Sequence, residues 1–264
     1  MRNQTPRSLP RFGLAIALAA LVTVPALAEQ VDIVSVADNT LIERADGSLS
    51  NGSGNHGFAG QTLQNPGEAI RRMLVRFDVA SSVPAGAIID SATLELHVSL
   101  TRGPDHTQTL FRTLEDWGEA ASFGFRGEGI GAAAQPDDAT WLHAFFPGTL
   151  WSTPGGAFST TPSASTMIMG NGTYAFTSAQ LVADVQSMLD DPANDFGWGV
   201  LGDELASNPI VRRYDTRENP TASFRPTLRV EYSMPAPVPA TGIWASVALL
   251  AALLVLGWRF ARTR

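Results

Sequence analysis

Three segments of this chain alternate apolar and polar residues with a period of two, which restricts them to strands with one buried face. In IIDSATLELHV (88–98), Ala92, Leu94, Leu96 and Val98 alternate with Thr93, Glu95 and His97. In RRMLVRFDV (71–79), Met73, Val75, Phe77 and Val79 share one face, and Arg72, Leu74, Arg76 and Asp78 share the outward one. PTLRVEY (226–232) repeats the pattern with Leu228, Val230 and Tyr232. Turn-rich stretches such as GSLSNGSGNHG (47–57) and SSVPAG (81–86) separate such strands. Alternating strands joined by Gly-rich loops suggest an all-β fold, an antiparallel jelly-roll β-sandwich.

One helix interrupts the strands. In TSAQLVADVQSMLDD (177–191), Leu181, Val182, Val185, Met188 and Leu189 fall on one helical face. Thr177 with Gln180 reads as a capping box, and Pro192 stops the helix. Residues 115–170 are rich in Gly, Ala, Ser and Pro, and read as a long, partly irregular excursion. No internal repeat is evident.

Both ends read as addresses. Arg2, Arg7 and Arg11 precede an apolar run from Phe12 to Val24 and an Ala26-Leu27-Ala28 site, so residues 1–28 are expected to be a secretory signal peptide cleaved before Glu29. At the other end a Pro-rich linker (234–242) leads to an apolar stretch, Ile243 to Trp258, and the basic tail RFARTR, so 243–264 is expected to be a transmembrane helix with a cytoplasmic tail. Val238, Pro239, Thr241 and Gly242 make a VPATG similar to the LPxTG signal of sortases. With Trp244 the spacing V-P-x-x-x-x-W resembles the IPTLSEWG-type signals of exosortase-like transpeptidases. These resemblances imply a protein that is exported, transiently anchored in the inner membrane, then carried to the cell surface or beyond by a sorting transpeptidase. An ordinary tail anchor is the alternative.

Residues 29–233 are expected to form one domain. They hold 12 Arg, no Lys, and all 25 Asp and Glu of the chain, a net charge of −13. So acidic a surface repels nucleic acid, and no nucleic-acid partner is expected. The absence of Cys and Lys excludes thiolate nucleophiles, Cys-ligated zinc and Schiff-base chemistry.

In order, the chain shows an Asp38-led strand, an Asn55-His56-Gly57 turn, RRMLVRFDV, SSVPAGAIIDSATLELHV and FRTLEDWGE (111–119). The capped helix, GWGVLGDE (197–204), RRYDTRENP (212–220) and RPTLRVEY (225–232) complete the series. This series resembles the DNRLRE domain family of bacterial extracellular β-sandwich modules. It departs from that pattern at His56 for Tyr, Met188 for Trp, and Thr216-Arg217-Glu218 for S-R-E. The resemblance implies a jelly roll, often a carbohydrate-binding or matrix module, without catalysis.

The residues themselves offer few catalytic constellations. No G-x-S-x-G elbow or H-E-x-x-H helix is present. Asp137-Asp138 and Asp190-Asp191 read as solvated, and His97 as an exposed strand residue. No cofactor is expected. A structural calcium ion is compatible with the many Asp and Asn, but no D-x-D-x-D-G loop is present and spacing names no ligands. For binding, Arg72, Arg76, Arg213 and Arg217 would suit an acidic polysaccharide through bidentate guanidinium contacts. Trp141 and Trp151 would serve either as a stacking platform or as a plug in the sandwich. The competing reading is an internal network in which Arg76, Asp78, Arg217 and Glu218 tie strands together. Polysaccharide or surface-matrix binding and a purely structural surface protein are thus the two leading functions, with a polysaccharide lyase or hydrolase behind them.

Overall fold

The computed structural model describes residues 28–235 apart from 126, 206 and 207, together with 247, 248, 250–254 and 258. It divides into a body, Ala26–Pro237, and a second unit of Met1–Pro25 and Val238–Arg264. In the body, β1 (Glu29–Val34), β2 (Ala37–Ile42), β3 (Leu49–Ser50), β4 (His56–Gln61) and β5 (Ile70–Arg76) lead to a one-turn helix, α1 (Val79–Ser82). Next come β6 (Ile88–Arg102) and β7 (His106–Thr113), then the short β8 (Ala132–Ala133), β9 (His143–Phe145) and β10 (Thr149–Leu150). β11 (Phe158–Ile168) and β12 (Gly172–Phe176) precede α2 (Ala179–Asp190). β13 (Trp198–Leu201), β14 (Ile210–Asp215) and β15 (Thr227–Ser233) close the body.

The main sheet runs β1-β15-β6-β14-β4-β5-β13-β7-β11, with β12 also on β6 and β2 also on β5. Its pairings are antiparallel. The fold class is therefore all-β and antiparallel, with few helices. The long β6 organises it, pairing β15 along its first half, β14 along its second and β12 between Leu94 and Val98. Its alternation buries Ala92, Leu94, Leu96 and Val98 as the period of two predicts. Ile89 is buried too, out of phase, because a bulge opposite Glu231 and Tyr232 resets the register.

The principal core gathers Met73, Val75, Phe77, Leu94, Leu96, Trp198, Tyr214, Leu228 and Val230. Each fully buried side chain of this size contributes roughly 1.5–3 kcal/mol relative to exposure. Helix α2 lies over β6 and β11 and adds Leu181, Val185, Met188 and Leu189 to that core. Its N-cap is Ser178, one residue beyond the expected Thr177. Ser178 Oγ accepts the Leu181 N–H at 2.9 Å and itself donates to the Ser163 carbonyl. Asp184 is also buried, accepting from Gln180 Nε2 at 2.9 Å.

The outward face of β5 is not solvent. Leu74 is fully buried in a second core with Ala37, Leu41, Trp117, Ala139, Ala144 and Trp151. The excursion supplies most of that core, so it is a packed cover over β2 and β5 rather than an irregular loop. Asp138, expected to be solvated, is buried inside it, where its carboxylate accepts the Ala120 and Gln135 N–H groups at 2.9 and 2.8 Å. Asp190 and Asp191 are exposed as expected.

Among the described residues no helix is long and apolar enough to cross a membrane. Residues 1–27 of the expected signal peptide, the sorting residues Val238, Pro239, Thr241, Gly242 and Trp244, and much of 243–264 lie outside the described residues.

Candidate functional site

Side chains from three distant segments meet beside the second core. Asp38 opens β2, Glu119 belongs to the excursion, and Arg217 and Glu218 sit in the turn after β14. Gly118 lets the excursion fold tightly on itself: a Cβ there would stand 1.9 Å from the Asp137 carbonyl oxygen. Its own carbonyl takes the Asn39 Nδ2–H at 3.3 Å, which seats Glu119 next to Asp38. The turn is held by Thr216, whose Oγ donates to the Gly54 carbonyl at 2.6 Å and whose own carbonyl takes the Asn219 N–H at 3.1 Å.

Arg217 lies between the acids. Its Nε donates to Glu119 at 3.0 Å, its Nη2 lies 3.0 Å from both Glu119 Oε2 and Glu218 Oε1, and its backbone N–H donates to Asp38 Oδ2 at 2.8 Å. One carboxylate oxygen from each of Asp38, Glu119 and Glu218 lies within 4.8 Å of the others. Burial pushes the Asp38 carboxyl well above the usual range, and the neighbouring Glu218 adds to it. Burial also lifts Glu119 to about 7 against the opposing pull of Arg217, and raises Glu218. A carboxyl near neutrality satisfies one requirement of a general acid.

A second polar chain lies nearby in sequence. His56 Nδ1 is 2.9 Å from Glu128 Oε1, and its Nε2 is 3.4 Å from Asp215 Oδ1. Asp215 Oδ2 also meets His97 Nδ1 at 2.5 Å, while Phe224 stacks on the His97 ring with centroids 3.8 Å apart. His97 is therefore tied to β14 through Asp215 rather than standing free on its strand.

Each arginine chosen from the sequence has an internal partner. Arg72 makes a two-pronged pair with Glu204 at 2.7 Å, donates to the Gly155 carbonyl, and lies 4.9 Å from the centre of the Trp141 ring. Arg76 pairs with Asp116 at 2.6 Å over the Trp117 ring. Arg213 Nε donates to Ser99 Oγ at 3.0 Å. Trp151 is 5% exposed, with its indole N–H on the Thr140 carbonyl at 2.9 Å. Arg72 thus joins Trp141, and Arg217 joins Asp38, Glu119 and Glu218, but the four arginines do not form one face. Asp78 stays out of the network and caps α1 through the Ser81 N–H. Two open clefts, one of about 440 Å³ beside His106 and Asp203 and one of about 450 Å³ beside Arg44 and Glu68, involve none of these six chosen residues.

Sequence reasoning named Arg217 and Glu218 together, in the competing internal network, but not Asp38 or Glu119 as their partners. The only signal for those two was positional: each lies in a segment of the ordered series described above. What fold and site define together is an all-β antiparallel protein in which a buried Asp38 and two part-buried glutamates meet one half-exposed guanidinium. Compared with protein-family models and with curated proteins, the chain finds no match.

Proposed function

We propose that the protein is an exported, non-catalytic β-sandwich module of jelly-roll type, with a structural role at the cell surface. The observation that carries this reading is the commitment of the arginines and tryptophans to the fold itself. To hold an acidic polysaccharide, Arg72, Arg76 and Arg217 would each have to leave a carboxylate of their own chain. Trp151, buried and hydrogen-bonded, offers no face to a sugar ring and serves as the plug of the two roles open to it. The resemblance to DNRLRE modules supports the jelly roll and the extracellular setting. The terminal segments support secretion through a signal peptide, transient anchoring in the inner membrane by the C-terminal apolar stretch, and processing by a sorting transpeptidase.

Affinity electrophoresis of the protein in gels containing acidic and neutral polysaccharides tests the reading. Unretarded migration in all of them is expected. Retardation in an acidic gel that Arg213→Ala abolishes, with an unchanged melting temperature, would establish polysaccharide binding instead. Product release from the same polysaccharides would establish an enzyme.

A further inference from the structure

The geometry points to a divalent-cation site of calcium type, formed by the carboxylates of Asp38, Glu119 and Glu218. The three acids are the described residues whose ligand oxygens converge closely enough to share an ion, within 4.8 Å of one another. Calcium holds oxygens at about 2.3–2.6 Å, so its ligands stand up to about 5 Å apart across the ion. The donors are all hard carboxylate oxygens, the chemistry that selects calcium or magnesium over transition metals. Three protein carboxylates at one site favour calcium, since magnesium keeps several waters and is usually bound through one or two carboxylates.

A second observation concerns Asp38 itself. Its side chain is fully buried, yet among the described residues Oδ1 accepts no hydrogen bond and Oδ2 accepts that of the Arg217 N–H. Oε2 of Glu218 is likewise buried and accepts none. Buried carboxylate oxygens are ordinarily satisfied by donors or by a cation, because leaving them bare forfeits their hydration. The Arg217 guanidinium makes its close contacts with Glu119 and Glu218, and reaches Asp38 only through its charge and the backbone N–H. With Arg217 contacting Glu119 and Glu218 and Arg225 also acting on Glu218, the three carboxylates still outnumber the guanidinium groups set against them. The bound ion would join β2, the excursion and the turn after β14 at one point. It would enter from the side of Arg217, whose side chain is 39% exposed.

Calorimetric titration of the chelator-treated full-length chain with calcium, with magnesium in parallel, tests this, together with thermal melts in both states. One calcium per chain, weaker magnesium binding and a higher melting temperature with calcium are expected. Glu218→Gln should weaken calcium binding by about tenfold or more, since ligand charge sets affinity. Its cation-free form should melt no lower than the parent, because one repelling charge is gone. Asp38→Asn should weaken binding in the same way. Absence of calcium binding by the parent, equal magnesium binding, or variants that bind calcium as the parent does would each overturn the proposal.

Discussion

Asp195 shows how one buried carboxyl tilts stability with pH. Burial raises it from 3.8 to about 6, although the N–H groups of Gly197 and Val79 pull the other way. Between those values the folded chain keeps a proton that the unfolded chain has released. The unfolded state therefore binds fewer protons, and this residue's contribution to stability falls as pH rises through that window, then levels off. Asp195→Asn keeps an acceptor for both N–H groups and removes the charge. Its melting temperature should match the parent's near pH ~4 and exceed it near pH ~7. Arginines differ in the same residue-by-residue way. Arg72→Ala strands the half-buried Glu204 and uncovers Trp141, and should cost about 1–3 kcal/mol, between the values for exposed and buried pairs. Arg213→Ala loses one bond to Ser99 and should cost about 1 kcal/mol or less in denaturant melts.

At the scale of elements, α2 and the cover over β5 make separate demands. Val185 is fully buried against the principal core, so Val185→Asp places an uncompensated charge there and should cost about 3–5 kcal/mol. Ser178→Ala removes the N-cap together with the bond to the Ser163 carbonyl and should cost about 1–2 kcal/mol. Leu74→Ala probes the cover: a cost of about 2–5 kcal/mol in urea unfolding is expected if the excursion packs tightly on β5, and far less if it does not. These elements were not equally legible. β6 and β15 could be read directly because one face meets the core and the other meets polar surroundings, which writes a period of two. The inner face of β5 followed the same rule, but its outer face was misread because Leu74 meets Trp117 and Trp151 from the excursion. Those tryptophans carry no periodicity, since short strands and turns bring them in one at a time. The carboxylate cluster was only partly legible for a related reason. Glu218 could be read beside Arg217, but Asp38 and Glu119 come from distant segments that only the folded sheet and its cover bring together.

For the whole molecule, the proposed export and anchoring through the two ends can be checked directly. Mass spectrometry of surface-exposed protein should find a mature chain starting at Glu29 and lacking the tail RFARTR; an intact tail recovered from membranes would mean a permanent anchor. The order of the sheet matters here as well. β15 is the last strand of the body, yet it lies inboard, between β1 and β6. Its ladders run from Glu29 opposite Tyr232 to Val34 opposite Thr227 on one side, and from Ile88 to Glu95 on the other. A tether leaving the body after Ser233 would deliver mechanical load to a strand gripped along both edges. Pulling on such a strand must break two ladders at once, whereas an edge strand peels away one bond at a time. If the proposed C-terminal attachment holds, load on the protein would enter through a strand paired along both edges.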